Sequence, residues 1–378
     1  MYKRQDHDCG WLPHGYSFGF GGYLKTDIAW EKAATYPGNY VVYVPYAAVD
    51  DDRMYITSRE SRLGFDFRWK AEEVKTTAKI EYDFFGAGAG ENKAGLLLRH
   101  AYVRLAWERI ALTAGQTWDV ISPLNPKTVN YSVAWGQGNI GYRRPQLRLS
   151  TWGSLGEAAD VTLDVAATRT IGNDVDGDGV DDGADAALPT MQGRLGLAFN
   201  LGDEGKIALG VSGHYGQEAW GEDDGETTDS WSANADLAVT LTPRISLLGE
   251  FFVGENLQTY FGGVLQGVSP AGDALGSTGG WGMLAVTPVD RVALHAGYAF
   301  EDPDDGDFTV PDGDEESLRD RNMVAWGNVF YAITGTVTGI LEVQYMQTDW
   351  MTKEGAEIVS EETMDNVRVQ FAIKAAIK

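Results

Sequence analysis

From Ser17 onward, runs of alternating polarity recur about sixteen times, and the connections between them are sorted by length. Short connections fall near Ala71–Glu72, Glu108, Ser154–Ala159, Gly202–Glu204, Pro243, Pro288–Val289 and Gly335–Thr336. Long ones cover 31–53, 86–95, 119–140, 171–190, 217–228, 255–279, 301–320 and 350–363, in strict alternation with the short ones. A soluble sandwich has no reason to sort its loops this way. A closed antiparallel barrel through a membrane does, because one rim faces a confined space and the other faces outward. The chain is therefore read as all-β: a transmembrane antiparallel barrel of about sixteen strands, with short periplasmic turns and long extracellular loops.

Alternation within the runs points the same way. Leu63, Phe65, Phe67 and Trp69 oppose Arg62, Gly64, Asp66 and Arg68. In Tyr142–Trp152, Pro145, Leu147 and Leu149 oppose Arg144, Gln146, Arg148 and Ser150. Successive side chains of a strand leave on opposite faces, so each run carries one apolar and one charged face. Charge inside and grease outside inverts a soluble barrel, whose interior is packed apolar. Aromatics at strand ends (Trp30, Trp69, Trp107, Trp118, Trp152, Tyr215 and Tyr298) are expected to form girdles at the two interfaces.

Composition narrows the alternatives. A chain of 378 residues suggests two or three domains, but no linker divides it, and large barrels are the exception to that length rule. No run reaches the roughly 18 apolar residues of a membrane helix. Mean hydropathy is -0.25, as expected when only every second residue faces lipid. A net charge of -25 excludes a nucleic-acid partner, which needs a basic face. The acid is concentrated in the long connections, whereas most arginines lie between Arg53 and Arg169, within strand-like runs. The single cysteine, Cys9, builds neither a disulfide nor a thiolate metal site.

Residues 1–16 are set apart from the barrel, which takes 17–378. Met1–Gln5 (MYKRQ) reads as translated adapter rather than native protein, and no signal peptide precedes the first strand. Export to the outer membrane requires one, so the native start is expected to lie upstream. FAIKAAIK lacks the terminal aromatic usual in such barrels, so the native end is expected further on.

Five segments, SRESRLGFDF, EYDFFG, LLLRHAYVRL, LTAGQTWD and GYRRPQLRLS, resemble in order and spacing the DcaP-like porins of Gram-negative outer membranes. They cover roughly residues 55–152; beyond Val161 only the rhythm of strands and loops matches. The resemblance implies a homotrimer of 16-stranded barrels that admits small anionic solutes such as dicarboxylates. Phosphate-selective porins share the barrel, but no lysine ladder favours them here.

Candidate site residues follow from the inner face. Arg62, Lys79, Arg144 and Arg148 are placed on the lumen side, where guanidinium forks take carboxylates and a narrow wet channel strengthens their field. The competing reading pairs them with Asp66, Glu81 and Asp83 as wall braces. Arg59 and Arg99 fall on the lipid-side register, which a bulge or a subunit interface would explain. The connection from Asp119 to Asn139, with Trp135, is the candidate constriction. Asp174, Asp176, Asp178 and Asp185 fit positions 1, 3, 5 and 12 of a calcium loop, with Gly179 at the sharp turn. A solvated acidic loop would look the same.

No cofactor is required, and catalysis finds no motif: His7, His14, His100, His214 and His295 are scattered, and Ser212 with His214 is what any lumen face shows. The leading reading is a passive anion-diffusing porin. The other is a non-conducting structural or adhesion barrel with calcium-binding external loops.

Overall fold

The computed structural model describes residues 15–47, 50–86, 91–172, 181–202, 204–220 and 226–377. Strand β1 (Tyr16–Ala33) leads into a small hairpin of β2 (Tyr36–Pro37) and β3 (Val41–Tyr43), then into β4 (Asp50–Thr57) and β5 (Arg62–Ala71). There follow β6 (Val74–Asp83), β7 (Leu97–Ala106), β8 (Ile110–Trp118), β9 (Arg143–Leu155) and β10 (Ala159–Thr168). Next are β11 (Thr190–Leu201), β12 (Gly205–Trp220), β13 (Glu226–Thr242), β14 (Ile245–Glu255) and β15 (Gly276–Val289). The last are β16 (Val292–Pro303), β17 (Glu315–Ala332), β18 (Val337–Glu354) and β19 (Glu357–Ile377).

Each wall strand pairs antiparallel with its neighbours in sequence, and the sheet closes on itself. One edge of β1 pairs with β19, from Gly22↔Ile377 to Glu31↔Arg368. Its other edge pairs with β5 near the start and with β4 near the end. Thus β4 and β5 share one place in the wall, interrupted by a turn at residues 58–61, and the 17 strands of the sheet make sixteen staves. Closure leaves no unpaired edge, the condition for a sheet to sit in hydrocarbon.

The wall is apolar outside, as the alternation requires. Leu147 and Leu149 are 54% and 48% exposed while Gln146 between Pro145 and Leu147 is 7% exposed. Trp30, Trp107, Tyr215 and Tyr298 face outward. Trp118 and Trp152 depart from the expected girdle: Trp118 packs near Trp135, and the Arg104 guanidinium lies over Trp152 from the inner face.

Two expected loops are largely strand. β12 and β13 run to Trp220 and from Glu226, and β18 and β19 are joined through a tight turn containing Gly355 at φ 56°. In 350–363 the alternation is lost: Trp350 and Met351 are both buried, Met351 in a cluster with Leu275 and Phe308, while Ile358 and Val359 are both exposed.

The inner face is also less polar than expected. Val41 and Val44 from the first long connection and Ala134 from the third pack on inward-facing Trp281, Met283, Ala299, Val324, Trp326 and Met346. The barrel thus has an apolar cluster inside it on the β15–β18 side, with smaller ones at Phe252 of β14 and Ala372 of β19.

The face assignment gives a direct test. Leu149→Arg puts a charge on the lipid face near the middle of β9, which should cost about 2–4 kcal/mol in bilayer unfolding titrations. Arg148→Leu, one residue away on the inner face, should cost far less. Equal costs would reverse the inside–outside assignment.

Candidate functional site

The third long connection leaves the wall after Trp118 and returns at Arg143. Asp119 closes its neck: the Asp119 amide donates to the Tyr142 carbonyl at 2.8 Å, and the Tyr142 amide donates to Asp119 Oδ2 at 2.9 Å. Between these points the loop crosses the lumen to the far wall. Leu124 N donates to Glu250 Oε1 at 2.8 Å, and the amides of Val129 and Asn130 donate to Glu342 at 2.8 and 3.2 Å. Asn328 Nδ2 donates to the Lys127 carbonyl at 2.7 Å, and Lys25 Nζ to that of Val129 at 2.9 Å. Buried backbone groups without partners are costly, and inward carboxylates on β14 and β18, an amide on β17 and the Lys25 ammonium on β1 supply them.

Two other connections fold in beside it. Asn130 Oδ1 accepts from Val41 N at 3.1 Å, and Asn322 Nδ2 donates to both Val42 and Gly136 carbonyls at 2.7 and 2.6 Å. The Trp135 ring stacks on Phe261, from the connection after β14, at 4.6 Å between centroids. Gly136 at φ +67° permits the approach, since a Cβ there would meet Val42 Cγ1 at 2.4 Å.

The infolded loops bury the inner face of β17 and β18: Asn322, Glu342, Met346 and Thr348 are all at 0% exposure. The opposite flank differs. There the side chains of Arg62, Lys79 and Arg194 keep 25%, 19% and 16% of their exposure. Water therefore reaches the lumen along β5–β11, off centre.

Cross-strand register builds a basic row on that flank. Arg68 pairs with Thr77, Thr77 with Arg104, Arg104 with Thr113, and Thr113 with Arg148. Directly paired residues share a face, so three guanidinium groups stand on alternate strands, roughly 10 Å apart, with threonines between. Because barrel strands tilt by about 40°, the row climbs the wall toward the neck of the loop. Arg148 Nε donates to Gln146 Oε1 at 2.8 Å and its Nη2 to the Trp118 carbonyl. Among the described residues, no carboxylate comes within 4 Å of Arg68, Arg104 or Arg148.

The candidates separate into groups. Arg62 and Lys79 reach Glu81 at 3.7 and 2.7 Å while keeping solvent exposure. Arg99 joins them at 3.3 Å and pairs with Asp83 at 2.6 Å, but it is 4% exposed. Its lipid-side parity is cancelled by a bulge, since Glu81 faces His100 but Tyr82 faces Leu98. Arg59 lies in the turn that interrupts β4 and β5, bound to Glu91 at 3.1 Å and over the Phe85 ring.

Arg144, Asp119 and Trp135 are corrections. Arg144 is 1% exposed, 3.1 Å from Asp119, and stacked 3.8 Å over Tyr260. Trp135 is 3% exposed among aromatic rings and Asp119 is 4% exposed. All three brace the infolded loops and do not line water, because the fold brings Tyr260 and the loop neck onto the inner face of β9. Arg68 and Arg104 were legible as inner-face residues one strand at a time, but only the register aligns them with Arg148. The anchoring roles of Glu250 and Glu342 carry no local signal.

Asp174, Asp176 and Asp178 lie outside the described residues. Asp185 ends a single helical turn, Asp182–Asp185. Asp181 ties the base of that segment, accepting from Gly172 N at 2.7 Å and Gly183 N at 3.0 Å.

A sixteen-stave barrel with a loop folded into its lumen is the fold of the general-diffusion porins. The chain is similar to the outer membrane channel DcaP of Acinetobacter baumannii, at 18% identity and a TM-score of 0.75, covering 97% of this chain and 99% of that one. An anion-selective porin from Comamonas acidovorans matches at 14% identity and a TM-score of 0.60, covering 96% and 100%. The trimer form of OmpT, an outer membrane protein of Vibrio cholerae, matches at 11% and 0.57, covering 96% and 100%. At such identities the likeness establishes the fold, and the barrel expected from the DcaP-like segments is the one found. No protein-family model matches the chain, and no curated protein sequence matches it.

The docking of the loop can be tested at Gly138. At φ +115° its absent Cβ would stand 2.4 Å from the carbonyl oxygens of Gly280 and Phe300. Gly138→Ala should lift the loop from β15 and β16 while the barrel still forms. Single-channel conductance should then rise and heat-modifiable mobility on gels stay unchanged; unchanged conductance would mean that the loop does not set the channel's width.

Proposed function

We propose that the chain is a Gram-negative outer-membrane porin, a passive channel for small anionic solutes of the dicarboxylate class, assembled as a homotrimer. The observation that carries this reading is the climbing row Arg68, Arg104 and Arg148, with Arg62 and Lys79 beside it on the wetted flank. Fixed cations in a narrow low-dielectric passage raise the local anion concentration. Guanidinium groups about 10 Å apart let a carboxylate pass from one fork to the next without binding too tightly to leave. The anion-selective title of one similar structure and the trimer of another support the same reading. Short turns in the periplasm and long connections outside would put the infolded loops near the outer mouth.

The test is reversal potential in a salt gradient across planar bilayers. Arg104→Ala with Arg148→Ala should lower the anion-to-cation permeability ratio, on the order of several-fold, with conductance held or raised. Arg144→Ala should leave the ratio nearly unchanged, since Asp119 neutralises it. An unaltered ratio in the double variant would remove the anion reading.

A second reading, a sealed structural or adhesion barrel, is favoured by one observation: three connections interlock and fill the β15–β18 side of the lumen. Absence of any conductance in the wild type would establish it. Calcium is a separate proposal. Weak binding by Asp174, Asp176, Asp178 and Asp185, with Kd about 10⁻⁴–10⁻³ M, would stiffen the fourth long connection. Titration calorimetry should show millimolar Ca²⁺ binding in the wild type and none in Asp174→Asn with Asp178→Asn; silence in the wild type leaves a solvated acidic loop.

A further inference from the structure

Arg143 and Arg144 are adjacent, both buried, and differently satisfied. Arg144 has Asp119, and the nearby buried Arg99 has Asp83 and Glu81. Arg143 is 2% exposed, yet its Nε, Nη1 and Nη2 all lack a hydrogen-bond partner among the described residues. No described carboxylate comes within 4 Å of it, and its polar side-chain neighbour is the Tyr142 hydroxyl. Its two ring neighbours are Trp118, at 4.6 Å from the guanidinium carbon, and Tyr142, at 4.5 Å. Rings over a guanidinium stabilise its charge but leave the in-plane N–H fork unused. Trp135 packs against both rings, and its Nε1, also buried, has no acceptor either.

A buried cation with orphaned donors is costly, by several kcal/mol before any compensation. Nearly all buried donors in folded proteins have acceptors. The acceptor that would satisfy the fork is negative, small, and able to meet it edge-on between Trp118 and Tyr142. We infer that the Arg143 fork is a resident site for a small monovalent anion, a halide or a short monocarboxylate, at the neck of the infolded loop. The site stands apart from the arginine row, because Arg143 precedes Arg144 on the opposite parity of β9 and is walled off by Trp118 and Tyr142. Occupancy would fasten Trp135 and the loop to the wall strands without adding to the permeation path. The inference does not depend on the channel being conductive.

Two measurements test it. The first is anomalous diffraction from crystals of the full chain grown in bromide, with a parallel crystal in formate. A bromide peak within about 3.5 Å of the Arg143 nitrogens, absent in Arg143→Gln, is the expected result. A planar density in formate but no bromide peak would assign the site to carboxylates, and a bromide peak without formate density would assign it to halides. Wild-type crystals empty in both salts would overturn the inference, as would a bromide peak that persists in Arg143→Gln. The second is thermal unfolding in detergent at constant ionic strength, replacing gluconate by chloride or by formate. Binding to the folded state alone raises Tm with ligand concentration. Wild-type Tm should rise with at least one of the two anions, and the rise should vanish in Arg143→Gln while persisting in Arg148→Ala. If Arg143→Gln does not fold, Arg143→Lys, which keeps the charge but loses the fork, serves in its place, with a weakened dependence expected. A wild-type Tm indifferent to both anions would overturn the inference independently of any bilayer result.

Discussion

Glu342 accepts the amides of Val129 and Asn130, and on this pair of hydrogen bonds the interior arrangement depends. A loop that leaves the wall carries its own unsatisfied backbone into a space with little water. It can stay there only if the opposite wall presents acceptors for its amides and donors for its carbonyls at the right height. Glu342 and Glu250 do so for the amides, and Asn328 and Lys25 for the carbonyls. The packing of Ala134 into the cluster that holds Trp281 and Met346 then adds burial that the charged flank cannot offer. The loop is drawn to one side of the lumen, and the water is left on the other.

This division gives the inner arginines different fates. Those beneath the loops acquire partners and lose solvent: Arg144 with Asp119, and Arg368 with Glu31 and the Gly38 carbonyl. Those on the wetted flank, Arg62 and Arg194 among them, stay partly hydrated. Arg194 is intermediate, holding Asp236 through two nitrogens at 3.0 and 2.7 Å, with Gly196 and Gly210 leaving room for its guanidinium. The same residue type is thus a buried brace or a partly hydrated lumen group according to what the loops cover.

The architecture was legible in the sequence because period-two patterning and sorted connections are both consequences of lying in lipid. Strand existence in Leu63–Trp69 or Pro145–Leu149 follows from one face needing hydrocarbon. That signal fails above the membrane, which is why 217–220, 226–228 and 350–363 read as loops although they continue the ladder. It fails also at Arg99, where one extra residue rotates the side chain inward, since a bulge leaves no mark in the alternation. Inner-face residues could be recognised singly, but the row through Arg68, Arg104 and Arg148 needs backbone register that no one strand encodes. Arg144 looked equal to Arg148 because nothing near it in sequence announces Tyr260, more than a hundred residues away.

The staves are of unequal length. β17 and β18 have 18 residues each and β19 has 21, against 9 in β8 and 10 in β7. At about 3.3 Å per residue this is nearly a twofold difference in contour. The mouth is therefore a slope, high over the loop-filled side and low over the arginine flank. Anything drifting across the cell surface meets a parapet on one bearing and an open sill on the other, so approach to the mouth is directional.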